Sequence, residues 1–206
     1  MPRAGEYPVL YADAALARAE ALARKGATAT PPVETGGVLV GRFCTCPETG
    51  EFYVIVVDAL EARDAVEDKF SLSYTGATWT ILRNVLKVRQ RSDPALRIVG
   101  QAHGHSFPPA GGAPPCEACA TAKVCGRTNV FVSADDRLWS RAVFHRQPWQ
   151  LCQIFGLNAR GDGVSALFGL KDNRLLERGF HVLRDADVPS GGAMAFTSTV
   201  SREEVS

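Results

Sequence analysis

The sequence is most regular between Gly36 and Leu60, where it reads GGVLVGRFCTCPETGEFYVIVVDAL. Two runs in this segment, Gly36–Phe43 and Phe52–Leu60, are rich in β-branched and aromatic residues, which favour strands. Between them lies the sequence CPETG, and Pro and Gly favour tight turns. The segment therefore predicts an antiparallel β-hairpin.

Helices and further strands are predicted on both sides of this hairpin. Before it, Asp13–Lys25 is rich in Ala and Leu, has Asp13 as a candidate N-cap and is followed by a glycine, which predicts a helix. After it, Thr75–Gln90 and Asp135–Arg146 carry apolar residues at helical spacing and predict two more helices. Short apolar runs predict strands at Leu96–Gln101, Leu151–Leu157, Val164–Leu170 and Arg174–Leu183.

These elements follow one another in the order α-β-β-α-β-α-β-β-β. We therefore expect a single α/β domain over residues 1–184, built on a mixed β-sheet flanked by helices. Residues 106–132 are rich in Pro, Gly and Cys and predict a long inserted loop, with a brief strand entry at Asn129–Val132. Residues 185–206 predict a flexible C-terminal tail.

The composition argues against several classes of function. Of the 206 residues, 46% are hydrophobic and 22% are charged, as in ordinary globular proteins. The 23 basic and 22 acidic residues give a net charge of +1, which offers no electrostatic basis for binding nucleic acid or a membrane surface. The longest near-continuous apolar run, Tyr53–Val57, is too short to span a membrane, and the N-terminus lacks the apolar core of a signal peptide. We therefore expect a cytoplasmic protein.

Two of the four histidines, His103 and His105, are the first candidates for a metal site. They lie two residues apart at the end of a predicted strand, where side chains i and i+2 point to the same face, so both imidazoles can reach one point. A catalytic zinc needs three protein ligands and an open position for water. Asp136, at the start of the next predicted helix, is the obvious third ligand.

Two further residues suit the chemistry of such a site. Zinc lowers the pKa of a bound water, and hydrolysis then needs a general base that carries the proton to the leaving amine. Glu34 fits this role, because a carboxylate has little structural reason to lie directly before an apolar strand. The hydroxyl of Ser133 could donate a hydrogen bond to the developing oxyanion.

Each of these residues also has an ordinary structural interpretation. The His-x-His sequence can be incidental, and Glu34 can be a solvated loop carboxylate. Ser133 and the acidic residues that follow it are typical of a helix cap, in which the hydroxyl accepts hydrogen bonds from backbone N–H groups. The elements taken together, in this order, favour the metal site over these separate interpretations.

Three sequences carry the pattern, namely Glu34-Thr-Gly-Gly-Val-Leu-Val-Gly41, His103-Gly-His105 and Ser133-Ala-Asp-Asp136. Together they resemble the signature of the JAMM (MPN-plus) metalloproteases, which is a Glu before a Gly-x-Leu-x-Gly strand, then His-x-His, then Ser-x-x-Asp. The order of predicted elements from about Tyr7 to Leu183 is also similar to that family's fold. The usage of Ala and Arg is typical of a bacterial member.

The resemblance implies a cytidine-deaminase-like MPN/JAMM domain and a zinc isopeptidase or peptidase. Members of the family hydrolyse the bond after the C-terminus of ubiquitin or of a ubiquitin-like protein, which would be the partner of this chain. By the same resemblance, His103, His105 and Asp136 would hold the zinc, Glu34 would be the general base, and Ser133 would help to stabilise the tetrahedral intermediate. The family has a much shorter interval between the second histidine and the serine, so the loop would be an insertion beside the site.

Two other functions stay open at this point. A non-catalytic MPN-type scaffold would use the cysteine-rich loop to dock a partner protein. A small-molecule amidase would follow if the loop closed over the metal and excluded a protein tail. The sequence identifies neither the modifier nor the oligomeric state.

Five of the six cysteines fall into two groups, which are Cys44 with Cys46, and Cys116 with Cys119 and Cys125. In a cytosolic protein, clustered thiols indicate metal ligands more readily than disulfides. The first four could form a second, structural zinc site. The three thiols of the loop could instead use a different fourth ligand or stay free. The sixth cysteine, Cys152, lies in an apolar run and is interpreted as a small buried hydrophobe.

Overall fold

Eight strands form one mixed β-sheet in the computed structural model, which describes residues 7–109, 127–145 and 147–188. In chain order the strands of the protein are β1 (Val9–Ala12), β2 (Gly36–Thr45), β3 (Phe52–Glu61), β4 (Val66–Glu67), β5 (Leu72–Ser73), β6 (Arg97–Gly104), β7 (Leu151–Leu157), β8 (Gly163–Lys171), β9 (Arg174–Arg178) and β10 (His181–Leu183). The sheet has the order β10-β1-β3-β2-β6-β7-β8-β9, and β4 and β5 pair with each other in a separate small sheet. The expected mixed sheet flanked by helices is confirmed.

The predicted helices are present as α1 (Asp13–Arg24), α2 (Gly76–Arg89) and α3 (Ala134–Phe144). Helices α2 and α3 each begin with a capping box, formed around Thr75 and Ser133 respectively. The prediction that Asp13 caps α1 is wrong. The N-cap is Ala12, which still pairs in β1, so the strand leads directly into the helix and Asp13 becomes its first residue.

The predicted hairpin is confirmed as β2 and β3, which pair antiparallel with a bulge between Val40 and Gly41. Strand β2 is buried on both faces, as is usual for a central strand. Its Leu39 packs in the cluster that contains the buried alanines of α1. Its Val38 and Val40 pack in a second cluster with Leu82 of α2. Helices therefore cover both faces of the centre of the sheet.

The direction of the central strands brings distant parts of the chain together. Strand β2 is antiparallel to β6, so Gly36 at the start of β2 lies opposite His103 near the end of β6. Strand β7 is parallel to β6, with Gln101 opposite Cys152. Because Ala102 belongs to the α1 cluster, the alternation of side chains turns its neighbours Gln101 and His103 to the other face.

Several predicted boundaries differ from those observed. Strand β6 extends to Gly104, beyond the predicted end at Gln101, so His103 lies inside it. The predicted strand Arg174–Leu183 is divided into β9 and β10, and β10 pairs with β1 at the opposite edge of the sheet. Strand β1 was not predicted. The brief strand predicted at Asn129–Val132 is absent, and only an isolated bridge between Thr128 and Asn158 is found there.

Two predictions concern residues that the structure describes only in part. Of the predicted inserted loop, residues 110–126 lie outside the described residues, as do residues 189–206 of the predicted tail. Residues Asp185–Asp187 form a short 3-10 turn. Among the described residues, every helix is too short or too polar to cross a membrane.

Candidate metal centre

Three separate parts of the chain meet at the start of β2. Glu34 lies two residues before the start of this strand, and its backbone N–H donates to the Asp68 carbonyl oxygen at 2.7 Å. His103 and His105 lie at the end of β6 and just beyond it. Asp136 lies in the first turn of α3. The structure thus brings together the residues that were selected from the sequence.

The side chains of this group are all buried. The exposed fraction is 5% for Glu34, 2% for His103, 4% for His105 and 7% for Asp136. His103 Nε2 lies 3.3 Å from His105 Nε2 and 3.1 Å from Asp136 Oδ1. His105 Nε2 lies 3.9 Å from Glu34 Oε1. Four groups that ordinarily bind metals or protons therefore converge where solvent is largely excluded.

Two triplets of side chains in this group could hold a metal ion, and both contain His103. In the first triplet the ligand atoms of Glu34, His103 and His105 lie within 4.8 Å of one another, and in the second those of His103, Asp136 and Cys152 do. Neither triplet combines His105 with Asp136. The predicted set of His103, His105 and Asp136 is thus represented by two close pairs that share His103.

These distances are compatible with a small tetrahedral ion. Ligand atoms that lie 2.0–2.1 Å from a tetrahedral zinc are about 3.3–3.4 Å from each other. The separations from His103 Nε2 to His105 Nε2 and to Asp136 Oδ1, 3.3 Å and 3.1 Å, are close to this value. Imidazole and carboxylate are also ligand types that zinc and other divalent transition metals accept. The donors present therefore fit a metal ion.

The ring of His105 is oriented by a backbone carbonyl. Its Nδ1 lies 2.6 Å from the Asn129 carbonyl oxygen, which can only accept a hydrogen bond, so Nδ1 carries the proton. The lone pair of a neutral ring is then on Nε2, the atom that faces His103 and Glu34. This is the arrangement by which proteins commonly fix a metal-binding imidazole.

The side chain of Asn129 holds that carbonyl in place. It is 1% exposed, and its amide donates to the His105 carbonyl oxygen at 3.0 Å and also to the carbonyl oxygen of Phe107. The side-chain oxygen Oδ1 of Asn129 accepts a hydrogen bond from the Leu157 N–H at 2.7 Å. Sequence reasoning missed Asn129. The available signal was an amide directly before the apolar run Val130–Val132.

Ser133 and Asp136 cap helix α3 reciprocally. The Ser133 hydroxyl accepts from the Asp136 N–H at 3.0 Å, and Asp136 Oδ2 accepts from the Ser133 N–H at 2.8 Å. The capping interpretation of Ser133 is thus confirmed. The other oxygen of the same carboxylate, Oδ1, faces His103. One carboxylate therefore joins the end of a helix to the candidate metal site.

Burial and neighbouring charges disturb the ionisation of two members of the group. Burial, followed by the negative charges of Asp136, Asp135 and Asp68, raises the pKa of Glu34 to about 8. Burial lowers the pKa of His103, although Asp136 opposes the shift, so its imidazole favours the neutral form that binds metals. The crowding of carboxylates leaves the site short of positive charge, which a bound cation would supply.

An open cleft of about 490 Å³ leads to this site. Its inner end is lined by Glu34, His103, Ser133 and Asp136, and the described lining residues include no lysine or arginine. One wall consists of three aromatic rings in mutual contact, with centroids 5.2–6.3 Å apart, which are Tyr74, Trp79 and Trp139. The segment 70–74, which contains β5, lines the same cleft. The site is thus accessible to a ligand from solvent.

The predicted cysteine site falls largely outside the described residues. Cys116, Cys119 and Cys125 are in the part of the chain that the structure does not describe. Cys44 and Cys46 are free thiols at the far end of β2 from Gly36, at or just beyond the end of that strand. The second zinc site stays a prediction.

Cys152 is the residue whose surroundings differ most from the expectation. It is 2% exposed and packs with Ile154 and Phe168, so the interpretation as a small buried hydrophobe is confirmed. Its sulfur is also a member of the triplet with His103 and Asp136, which sequence reasoning missed. No local sequence pattern could indicate that Cys152 lies beside His103, because the pairing of β7 with β6 creates this contact.

Similarity to known proteins is found among solved structures. No protein-family model matches the chain, and no curated protein matches it. Among solved structures, the chain is similar to the solution structure of the protein DSY2949 from Desulfitobacterium hafniense, with a TM-score of 0.48 and 18% sequence identity over 85% of this chain and 93% of that one. The chain itself has a mixed α/β fold, and its buried His, Glu, Asp and Cys side chains could hold a metal ion.

Proposed function

We propose that the protein is a zinc-dependent isopeptidase or peptidase of the JAMM type, acting on the bond after the C-terminus of ubiquitin or a ubiquitin-like protein. The observation that carries the proposal is the buried convergence of Glu34, His103, His105 and Asp136, of which all but His105 line an open cleft. A non-catalytic scaffold has no need of four buried metal-binding or proton-transferring groups at one point. The intact set favours the enzyme.

His103, His105 and Asp136 would hold the ion. Zinc, when bound, supplies the Lewis acidity that activates water and polarises the scissile carbonyl group. The reciprocal cap fixes the Asp136 carboxylate, and the Asn129 carbonyl fixes the ring of His105.

Glu34 is the general base in this proposal. Burial and the surrounding carboxylates raise its pKa to about 8, and a bound cation would counteract this shift. A carboxylate with a pKa near neutrality can accept a proton from water and return it to the departing amine. It lies 3.9 Å from His105 Nε2, beside the atoms that would hold the ion.

Ser133 has a second role beside the cap. Its oxygen accepts the hydrogen bond from the Asp136 N–H, which leaves the hydroxyl proton for another acceptor. Ser133 lines the cleft next to Asp136, so this proton can be donated to the carbonyl oxygen as negative charge develops there.

The shape of the cleft suits an extended peptide tail. Strand β5 lines the cleft and pairs only with β4 among the described strands, so its second edge can accept an added strand. Phe70 and Leu138, which also line the cleft, are 59% and 61% exposed and could contact the apolar surface of a folded modifier. These features favour a protein substrate over a small amide.

The proposal is tested with the metal-loaded protein and three substrates: ubiquitin carrying a C-terminal fluorogenic amide, Lys-linked diubiquitin, and an acyl-Gly-Gly fluorogenic amide. We expect cleavage that chelation abolishes and zinc restores, and that Glu34→Gln lowers at least about 10²-fold, the contribution typical of a general base. Glu61→Gln is the control, because Glu61 forms ion pairs with Lys25 and Arg63 and is not among the residues that line the cleft.

Other outcomes lead to other functions. If zinc binding depends on His103 and the protein cleaves the small amide but neither ubiquitin substrate, the amidase is favoured. If the protein binds no metal through the histidines, the proposed enzyme is contradicted and the scaffold function is favoured.

A further inference from the structure

Cys152 lies beside the candidate metal site without belonging to the proposed catalytic set. Its sulfur is within 4.8 Å of the ligand atoms of both His103 and Asp136. The position follows from the sheet, because Cys152 is opposite Gln101 in the register of β6 and β7, and Gln101 shares a face with His103.

The described surroundings of the thiol are mainly apolar. Cys152 is 2% exposed and lies among the side chains of Ile154 and Phe168, and its sulfur accepts a 3.5 Å hydrogen bond from Gln101 Nε2. A structural cysteine of this kind is usually inert, but a thiol within reach of a divalent ion loses its proton on binding it.

We propose that Cys152 is a metal ligand, whose thiolate holds the ion together with His103 and Asp136 in the resting protein. The inference rests on the metal site of the proposed function and adds a ligand to it. On binding, a metal–sulfur bond forms, the thiol proton passes to solvent, and one water molecule of the hydrated ion is released. No electron transfer is involved.

The added ligand has a consequence for the substrate. Catalytic zinc sites keep one coordination position open, whereas sites with four protein ligands are closed. The proposed function adds His105, which lies 3.3 Å from His103, as a fourth protein ligand. The resting site is therefore closed, and the arriving substrate has to displace the thiolate.

A thiolate also changes which metals the site prefers. Histidine and carboxylate alone accept a broad range of divalent ions, whereas sulfur favours softer ones. With Cys152 as a ligand, the site discriminates against magnesium, calcium and manganese. Without it, the site loses part of this discrimination.

The test uses cobalt(II) as a spectroscopic substitute for zinc in the full chain. The wild type is compared with Cys152→Ser and with Ile154→Val, a conservative change in the same apolar cluster. Because the chain has six cysteines, the readout is the difference between the spectra of the wild type and each variant. We expect a thiolate-to-cobalt charge-transfer band that Cys152→Ser and His103→Ala remove and Ile154→Val retains.

A second measurement leaves Cys152 in place. In a variant with the other five cysteines replaced by serine, X-ray absorption of the zinc protein should show one sulfur at about 2.3 Å beside nitrogen and oxygen ligands at about 2.0–2.1 Å. Circular dichroism verifies that each variant is folded, and Cys152→Ala replaces Cys152→Ser if the serine is not tolerated.

The outcomes separate this inference from the function on which it rests. If cobalt binding still depends on His103, but no sulfur ligand is detected and Cys152→Ser has the same spectrum as the wild type, the role of Cys152 is overturned. The proposed hydrolase is then unaffected. A wild type that binds no cobalt through His103 would overturn both.

Discussion

Gly36 of β2 lies directly opposite His103 of β6, and position 36 has no room for a side chain. A Cβ there would lie 2.7 Å from the His103 Cα atom and closer still to the carbonyl oxygen of Ala102. These are backbone atoms, which cannot rotate away. A glycine at the first position of β2 is therefore required by the close approach of β6, the strand that carries His103.

We predict that Gly36→Ala separates the two strands at the metal site. Overpacking of this kind costs about 1–3 kcal/mol of stability. Because the displaced backbone carries His103, zinc affinity should also fall at least about tenfold, as when the support of a ligand is lost. Calorimetric titration with zinc and thermal denaturation measure the two effects. Gly76→Ala is the control, because a Cβ at that position meets no atom within 4 Å, and an effect of equal size there would contradict the explanation.

We predict that Glu34→Gln stabilises the metal-free protein. Folding raises the pKa of Glu34 from 4.5 to about 8, so the folded protein binds this proton more tightly and loses stability as the pH rises between these values. The glutamine removes that loss. Since one pKa unit corresponds to about 1.4 kcal/mol, we expect a gain of about 2–4 kcal/mol at pH 8 and none near pH 4.

Thermal denaturation after chelation, repeated across this pH range, measures the gain. Glu61→Gln should have the opposite sign, because its hydrogen bond with Lys25 lowers the pKa of Glu61. A Glu34→Gln variant that is no more stable than the wild type at pH 8 would show that the carboxyl is not desolvated as described.

Removal of the cap at Ser133 should weaken metal binding as well as the helix. The typical cost of losing such a cap is about 1 kcal/mol. Ser133→Ala frees the backbone of Asp136 that the hydroxyl holds, so we expect a loss of zinc affinity in addition. Thr75→Ala is a matched control, since it removes the same kind of cap from α2, away from the ligands. It should lower stability and leave zinc affinity unchanged.

Ser133→Asp separates capping from catalysis. Aspartate caps helices about as well as serine, but its carboxylate has no proton to donate to an oxyanion. We expect this variant to keep the metal and to lose kcat with little change in KM. Unchanged kcat would restrict Ser133 to its role in the cap.

Asn129→Ala should affect the site without removing a ligand. The substitution leaves buried polar groups of His105, Phe107 and Leu157 without a partner, at a cost of about 1–3 kcal/mol for each group that water does not reach. Zinc affinity should fall by about 10- to 100-fold, as for other residues that orient a ligand. Asn158→Ala is the control. Asn158 is another buried asparagine, and its side chain donates a hydrogen bond to Asp162 in the turn after β7, so its loss should leave zinc affinity unchanged. Equal losses in both variants would indicate a general effect on folding.

Local patterns predicted the parts of the site that lie within single segments. The carboxylate before an apolar strand, the pair of histidines two residues apart and the serine at a helix start are each visible within a few residues. The hairpin around Cys46–Gly50 was predictable for the same reason, because turn and strand preferences act locally.

The missed features depend on contacts between distant segments. Cys152 joins the metal group only because β7 lies parallel to β6 with a definite register, which no local pattern specifies. The prediction joined β10 to β9 in a single strand, and the pairing of β10 with β1 across the sheet could not be foreseen. Asn129 was predicted at the start of a brief strand, and its three side-chain hydrogen bonds exist only once β6 and β7 are in place.

The position of the ligands on separate segments links the supply of metal to the lifetime of the protein. Residues 34, 103 and 136 meet only when β2, β6 and α3 are assembled, so the unfolded chain has no equivalent site. An ion that binds only the folded state adds its binding free energy to the stability of the fold. For the proposed enzyme, a shortage of this metal would therefore have two effects. The centre would be empty, and a larger fraction of the chains would be unfolded and open to proteolysis.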